Sequence, residues 1–169
     1  MDLEYTKTKI EWIHNGKKIE RNIEGIDYAY SIKDYVCVKT YDNNQFEYYY
    51  MDLEGNNICK YDESGNLTIS TESGEYKEKF GKIHGVNLID TQIYVMTNGE
   101  DIWIYDREAI CIGKIEPPEG FRYYYFGSGE GLEAVCQANP ELADQYGRVD
   151  YRFQYNFENS KWKKICFAY

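Results

Sequence analysis

The feature that most restricts the fold is a succession of short runs rich in Tyr, Val, Ile, Phe and Trp, separated by turn residues. These runs span 35–40, 46–51, 93–97, 101–105, 123–126, 132–137, 151–155 and 162–167. Such residues suit the pleated, half-buried surface of a strand. Asn and Gly, as in Asn15-Gly16 and Asn98-Gly99, accept the positive φ of tight hairpin turns. Connections this short leave no room for crossover helices, so the sequence predicts an all-β fold with antiparallel sheets.

A weak internal repeat accompanies four of the turns. The turns begin at Asn15, Asp52, Asp106 and Asn156, and an aromatic residue stands three positions before each, namely Trp12, Tyr49, Trp103 and Phe153. Grouping the strand runs around these turns predicts a hairpin at 9–23 and four-stranded units at about 26–61, 85–116 and 121–169. All of them would belong to a single all-β domain of residues 1–169. Residues 67–83 fit no unit and could form an extra hairpin.

Four-stranded antiparallel units in series resemble the blades of a β-propeller. The resemblance covers most of the chain and implies a partial or small propeller-like architecture of about three and a half blades. A β-sandwich or a curved meander built from the same strands is the alternative. One short helix is predicted near 140–146, because Asn139 can cap it, Pro140 suits its first position and Gly147 can end it.

Composition excludes several classes of function. A net charge of −10 disfavours contact with phosphate backbones, which require Lys and Arg, so no nucleic-acid partner is predicted. No apolar run is long enough for a membrane helix, and the first residues lack the basic and apolar regions of a secretory leader, which predicts a cytoplasmic protein. The five cysteines form no CxxC or Cys/His cluster, which favours buried, reduced thiols over a zinc site. No metal and no cofactor are predicted.

The distribution of acidic residues predicts a partner-binding face. In the blade arrangement, the connections between units and those between the second and third strands of each unit emerge at one end. Acidic residues concentrate at that end, where they can attract a basic protein. The candidate partner-binding residues are Asp42, Glu100, Asp101, Glu116, Glu119, Glu141, Asp144 and, as an aromatic anchor, Tyr146. A solvated acidic surface that keeps the protein soluble is the alternative.

The general character of the chain favours a non-enzymatic binding module. In size, acidity and its content of 19 Tyr, it resembles the immunity proteins of bacterial polymorphic toxin systems, which implies an inhibitor that masks a basic toxin. The alternative is a carbohydrate-binding domain using exposed Tyr and Trp, for which 48–50 and 123–125 supply consecutive tyrosines. Neither His14 nor His84 has a nucleophile nearby in sequence, which disfavours catalysis by a nucleophile and a histidine base. The remaining enzymatic alternative is a hydrolase with a carboxylate pair. Unpaired sheet edges would also permit a homo-oligomer.

Overall fold

The computed structural model describes residues 2–168, which divide into two compact units. Unit 1 comprises the chain up to residue 80 together with 107–109, and unit 2 comprises 81–106 and the chain from 110 onward. Successive strands are neighbours in every sheet, and every pairing is antiparallel. The predicted all-β fold with antiparallel units in series is therefore confirmed. No sheet within residues 2–168 closes into a barrel.

Unit 1 contains two sheets. The first has three strands, β1 (Leu3–Tyr5), β2 (Lys9–His14) and β3 (Lys17–Asn22). The second has six strands, β4 (Ile26–Ile32), β5 (Tyr35–Asp42), β6 (Gln45–Asp52), β7 (Asn57–Asp62), β8 (Asn66–Thr71) and β9 (Gly74–Lys79). The sequence thus predicted the hairpin at 9–23 but not the short strand β1 that pairs with it.

One core of unit 1 lies between these two sheets. Ile10 and Trp12 occupy alternate positions of β2 and therefore point to the same face. Both are buried, and they pack in one cluster with Val36 of β5 and Met51 of β6. The indole Nε1 of Trp12 donates a hydrogen bond to the carbonyl oxygen of Leu53 at 2.8 Å. Burial of side chains this large is worth roughly 1.5–3 kcal/mol each and holds the sheets together.

Two similar turns extend the second sheet of unit 1. The Asp52 carboxylate accepts hydrogen bonds from the backbone and side-chain nitrogens of Asn56 at 2.7 and 2.9 Å. Asp62 holds Asn66 in the same way, at 2.9 and 2.6 Å. Both turns have the sequence Asp-x-x-Gly-Asn. The second turn leads into the hairpin of β8 and β9, so the predicted extra hairpin is confirmed and lengthens the sheet that begins at Ile26.

Unit 2 consists of two four-stranded sheets. The first contains β10 (Ile83–Ile89), β11 (Gln92–Thr97), β12 (Asp101–Tyr105) and β13 (Cys111–Ile115). The second contains β14 (Phe121–Phe126), β15 (Glu133–Ala138), β16 (Asp150–Asn156) and β17 (Lys161–Phe167). Tyr94 and Met96 of the first sheet share one buried cluster with Tyr123, Cys136 and Phe153 of the second. This cluster is the apolar core shared by the two sheets of unit 2.

The predicted helix is shorter than its sequence suggests. A single 3-10 turn spans Pro140–Leu142, with Pro at its start as predicted. It ends because Ala143 has an extended backbone, with ψ of 143°, and because the carboxylate of Asp144 accepts the backbone N–H groups of Tyr146 and Arg148. Within residues 2–168, no helix has the length and apolar character that crossing a bilayer requires.

All five cysteines are free thiols. Cys37, Cys59 and Cys136 are buried, as predicted. The prediction of burial is wrong for Cys111 and Cys166, which are exposed. Both lie on outermost strands, β13 and β17. Cys166 also pairs with Arg152, which alternates with the core residues Tyr151 and Phe153 and so faces away from the core.

Candidate functional site

Three connections of unit 2 meet at one end of the unit, and we call this region the acidic end. It comprises residues 98–101, 114–120 and 139–149. The backbone N–H of Tyr123 donates to the carbonyl oxygen of Gly99 at 2.7 Å, which ties the β11–β12 turn to β14. The N–H of Asn139 donates to the carbonyl oxygen of Gly120 at 3.0 Å, which ties the β15–β16 loop to the segment before β14. These hydrogen bonds bring together loops that are far apart in sequence.

The first connection is a tight turn that exposes Glu100. Asn98 and Gly99 both have positive φ, at 48° and 74°, as this Asn-Gly pair predicts. Asp101, which begins β12, is partly buried and forms an ion pair with Lys114 of β13, with Oδ1 and Nζ 3.0 Å apart. The hydrogen bond from Lys114 to Asp101 raises the pKa of this lysine. The charge of Asp101 is therefore largely satisfied within the unit.

The second connection carries Glu116 and Glu119. The side chain of Glu116 is 79 % exposed and lies 4.0 Å from the ammonium of Lys114, at the limit of an ion pair. Its carbonyl oxygen accepts a hydrogen bond from the indole Nε1 of Trp162 at 2.9 Å, which anchors this segment to β17. Glu119 is exposed and has no ion-pair partner among residues 2–168.

The third connection is organised by Asp144 and Arg148. Oδ1 of Asp144 accepts backbone N–H groups from Tyr146 and Arg148, both at 2.9 Å. Oδ2 accepts the Arg148 guanidinium through Nε at 2.7 Å and pairs with Nη2 at 2.6 Å. Partial desolvation opposes ionisation of Asp144, but these hydrogen bonds outweigh it and hold its pKa below the usual value. Asp144 therefore shapes the loop, and its charge is already paired.

The remaining charge at this end is negative and exposed. Glu100, Glu119 and Glu141 are exposed and form no ion pair with any residue of the described chain, and Glu116 is only weakly paired. A surface with several unpaired carboxylates attracts cations over about 8–10 Å at physiological ionic strength.

Two apolar side chains accompany these carboxylates. Tyr146 is 73 % exposed and Leu142 is 49 % exposed. The guanidinium of Arg148 lies 5.2 Å from the centre of the Tyr146 ring, which limits the freedom of that side chain. Exposed tyrosines are enriched among the residues that supply binding energy at protein interfaces, and the rim around such residues is polar.

Seven of the eight candidate residues belong to unit 2 and lie at the acidic end, whereas Asp42 belongs to unit 1. Asp42 ends β5, and its carboxylate accepts hydrogen bonds from the backbone and side-chain nitrogens of Asn43, both at 2.9 Å. Sequence reasoning missed Leu142, which lies inside the predicted helix at 140–146. It also missed the pairing of Asp144 with Arg148, for which the four-residue spacing was an available signal.

The tyrosine trios differ in their exposure. Tyr50 is buried, and the ring of Tyr48 stacks on Tyr61 with centroids 4.7 Å apart. Tyr124 and Tyr125 are exposed, but their rings are tilted by 58° and form no flat platform. Carbohydrate binding therefore stays a prediction without a specific arrangement to support it. Within residues 2–168, no three His, Cys, Asp or Glu side chains come together as metal ligands.

Comparison with known proteins adds no family to this description. No protein-family model matches the chain, and a search of curated proteins found no significant similarity.

Proposed function

We propose that the protein is a non-enzymatic binding module that captures a basic protein at the acidic end of unit 2, as an inhibitor of the immunity-protein type would. The observation that carries this proposal is the clustering of exposed, unpaired Glu100, Glu119 and Glu141 beside exposed Tyr146. The five free thiols support action in a reducing compartment such as the cytoplasm.

The two components of the surface have different roles in this proposal. The carboxylates accelerate association with a basic partner, since rim charges act mainly on the association rate and its salt dependence. Tyr146 slows dissociation, because aromatic side chains that become buried at an interface supply most of its binding energy. In this proposal Asp144, one of the predicted partner-binding residues, acts by holding Tyr146 in place, because its carboxylate accepts a hydrogen bond from the Tyr146 N–H.

The proposal is tested by reversing charge at one end of unit 2 and comparing it with the other end. Tagged wild-type protein and the double variant Glu119→Lys/Glu141→Lys are used as bait in a lysate of the source cell. The matched control is Glu130→Lys/Glu158→Lys, which changes the net charge equally but alters the exposed β14–β15 and β16–β17 connections at the opposite end. We expect wild type and control to recover the same basic protein, and the acidic-end variant to lose it.

Kinetics with the purified partner separate the two roles. At low salt, Glu119→Lys/Glu141→Lys should slow association by about tenfold or more, whereas Tyr146→Ala should chiefly speed dissociation, also by about tenfold or more. Equal loss of binding in the control variant would show that only net charge matters. Unchanged binding by the acidic-end variant would contradict the proposed surface. Size-exclusion chromatography of the protein alone would detect self-association, the alternative in which the partner is a second copy of the chain.

A further inference from the structure

An ammonium group of the chain itself occupies an aromatic cage beside the acidic end. Nζ of Lys164 lies 3.2 Å from the ring centroid of Tyr151 and 5.9 Å from the centroids of both Phe121 and Phe167. The Phe121 ring meets Tyr151 edge-on, with centroids 5.7 Å apart, and the Tyr151 and Phe167 centroids are 4.5 Å apart. We call these three rings the cage.

The geometry of the last two strands explains the cage. Phe153 pairs with Lys164 and Tyr151 pairs with Phe167, so one extra residue of β17 is accommodated between these pairs. This bulge places both Lys164 and Phe167 on the face that carries Tyr151, although their separation of three residues would put them on opposite faces of a regular strand. A lysine on the inner face of an outermost strand also opposes edge-to-edge pairing of sheets.

Lys164 is held in a different way from Lys114 of the same unit. Lys114 is paired with a carboxylate, whereas Lys164 has no carboxylate within ion-pair distance among residues 2–168 and relies on ring faces. Desolvation lowers the pKa of Lys164, and the charge of Asp144 opposes this effect. The rings of the cage therefore hold the Lys164 ammonium without a carboxylate in direct contact with it.

The cage borders the acidic end on two sides. Phe121 follows Glu119 by two residues, and the guanidinium of Arg148 lies 3.8 Å from the ring centroid of Phe167, on the loop that Asp144 organises. A cationic side chain attracted by the carboxylates of that end would therefore meet the cage next to the segments that carry them. Lys164 is exposed and has a flexible stem, so it can leave the rings for solvent.

We propose that the cage is a binding site for an alkylammonium group, the lysine side chain of the basic partner, and that Lys164 fills it until the partner arrives. This inference rests on the proposed function for the identity of its ligand, but not for the existence of the site. Aromatic rings recognise ammonium and quaternary ammonium groups through the negative potential of their faces. Exchange of one ammonium for another conserves the contacts of the cage, while the partner gains the additional contacts of the acidic end.

The site can be tested without the partner by titrating choline into the protein and following backbone amide and aromatic NMR signals of Phe121, Tyr151 and Phe167. Lys164→Ala removes the internal occupant. Lys163→Ala is the matched control, because it removes the same charge from the neighbouring position, which pairs with Gln154 outside the cage. The neutral isostere 3,3-dimethylbutan-1-ol measures binding that depends on apolar contact alone.

We expect choline to bind Lys164→Ala at least about fivefold more tightly than wild type or Lys163→Ala, and more tightly than the isostere. Phe167→Leu in the Lys164→Ala background should abolish most of that gain while keeping the apolar volume. Equal affinity in all variants, or equal binding of choline and the isostere, would overturn the cation site.

The purified partner then tests its natural ligand. Lys164→Ala should bind the partner several-fold more tightly than Lys163→Ala does, because the competing ammonium is gone. Unchanged or weaker binding would overturn the assignment of a partner lysine to the cage. Loss of partner binding in Glu119→Lys/Glu141→Lys with no effect of Lys164→Ala would leave the proposed function standing and reject only this inference.

Discussion

The connection between β14 and β15 is predicted to depend on a glycine that makes room for a buried carboxylate. The side chain of Glu133 is only 7 % exposed and lies under residues 127–129, with Oε1 3.3 Å from Nε of Arg152. A methyl group at Gly127 would overlap the Glu133 carboxylate and lie 2.7 Å from both its Cγ and its Cδ. Real Cβ contacts are not this short, so Gly127→Ala must displace either the carboxylate or the loop.

The cost of Gly127→Ala follows from this overlap. Overpacking in a buried region costs typically 1–3 kcal/mol, and displacement of Glu133 also separates it from Arg152, so we expect a loss of about 2 kcal/mol in the free energy of unfolding. For a chain of this length that corresponds to a decrease in Tm of about 4–8 °C. Urea unfolding followed by circular dichroism and by tryptophan fluorescence measures the change.

A double-mutant cycle isolates the contact with Glu133. In the Glu133→Ala background the overlap no longer exists, and Gly127→Ala should cost less than about 0.5 kcal/mol or even stabilise, because alanine restricts the unfolded chain. Gly113→Ala is the control, since its new methyl would meet Cδ1 of Ile104 at an ordinary 3.7 Å. If Gly127→Ala costs the same with and without the Glu133 side chain, or costs nothing in the wild type, the steric argument is refuted.

Three further predictions concern other parts of the chain. The two exposed thiols should react rapidly with a disulfide reagent in the native protein, and the three buried thiols only on unfolding. The reason is that burial raises the pKa of a thiol, that of Cys136 to about 12. More than two rapidly reacting thiols would contradict the burial pattern. The lowered pKa of Asp144 means that its stabilisation of the loop is present above the unfolded pKa near 3.9 and is lost as pH falls through the lower folded pKa. In wild type, hydrogen exchange of the Arg148 amide should therefore become faster at acid pH than its intrinsic pH dependence predicts, with neighbouring amides as the reference. In Asp144→Asn this extra acceleration should be much smaller. Trp12→Phe should lower the free energy of unfolding, measured in urea, by about 2 kcal/mol, because it leaves a gap and an unpaired Leu53 carbonyl. The same change at the half-buried Trp103 should lower it by less.

The hairpins could be predicted because their determinants are local. The Asn98-Gly99 pair needs only the residues on either side to form its turn, and the alternation in β2 can be read within six residues. The Asp-x-x-Gly-Asn sequence recurs at Asp52 and Asp62, so the turn that extends the second sheet of unit 1 to β8 and β9 has a local determinant as well.

The candidate site was predictable as a region but not in its chemistry. Counting acids located the loops that carry Glu119 and Glu141, because antiparallel connectivity alone decides which turns lie at the same end. It did not distinguish those exposed carboxylates from Asp144, whose charge is paired with Arg148. That distinction depends on side-chain distances of a few ångströms, which a residue count does not contain.

The sequence by itself determined that this chain forms antiparallel strands joined by tight turns, since strand alternation and turn chemistry act over fewer than about ten residues. Only the tertiary structure decided that Leu142 is exposed, that Glu133 lies beneath a glycine loop and that a bulge in β17 brings Lys164 to the face of Tyr151. The reason is that register, bulges and ion pairing are settled by contacts between residues distant in the chain. There a shift of one residue reverses the direction in which a side chain points.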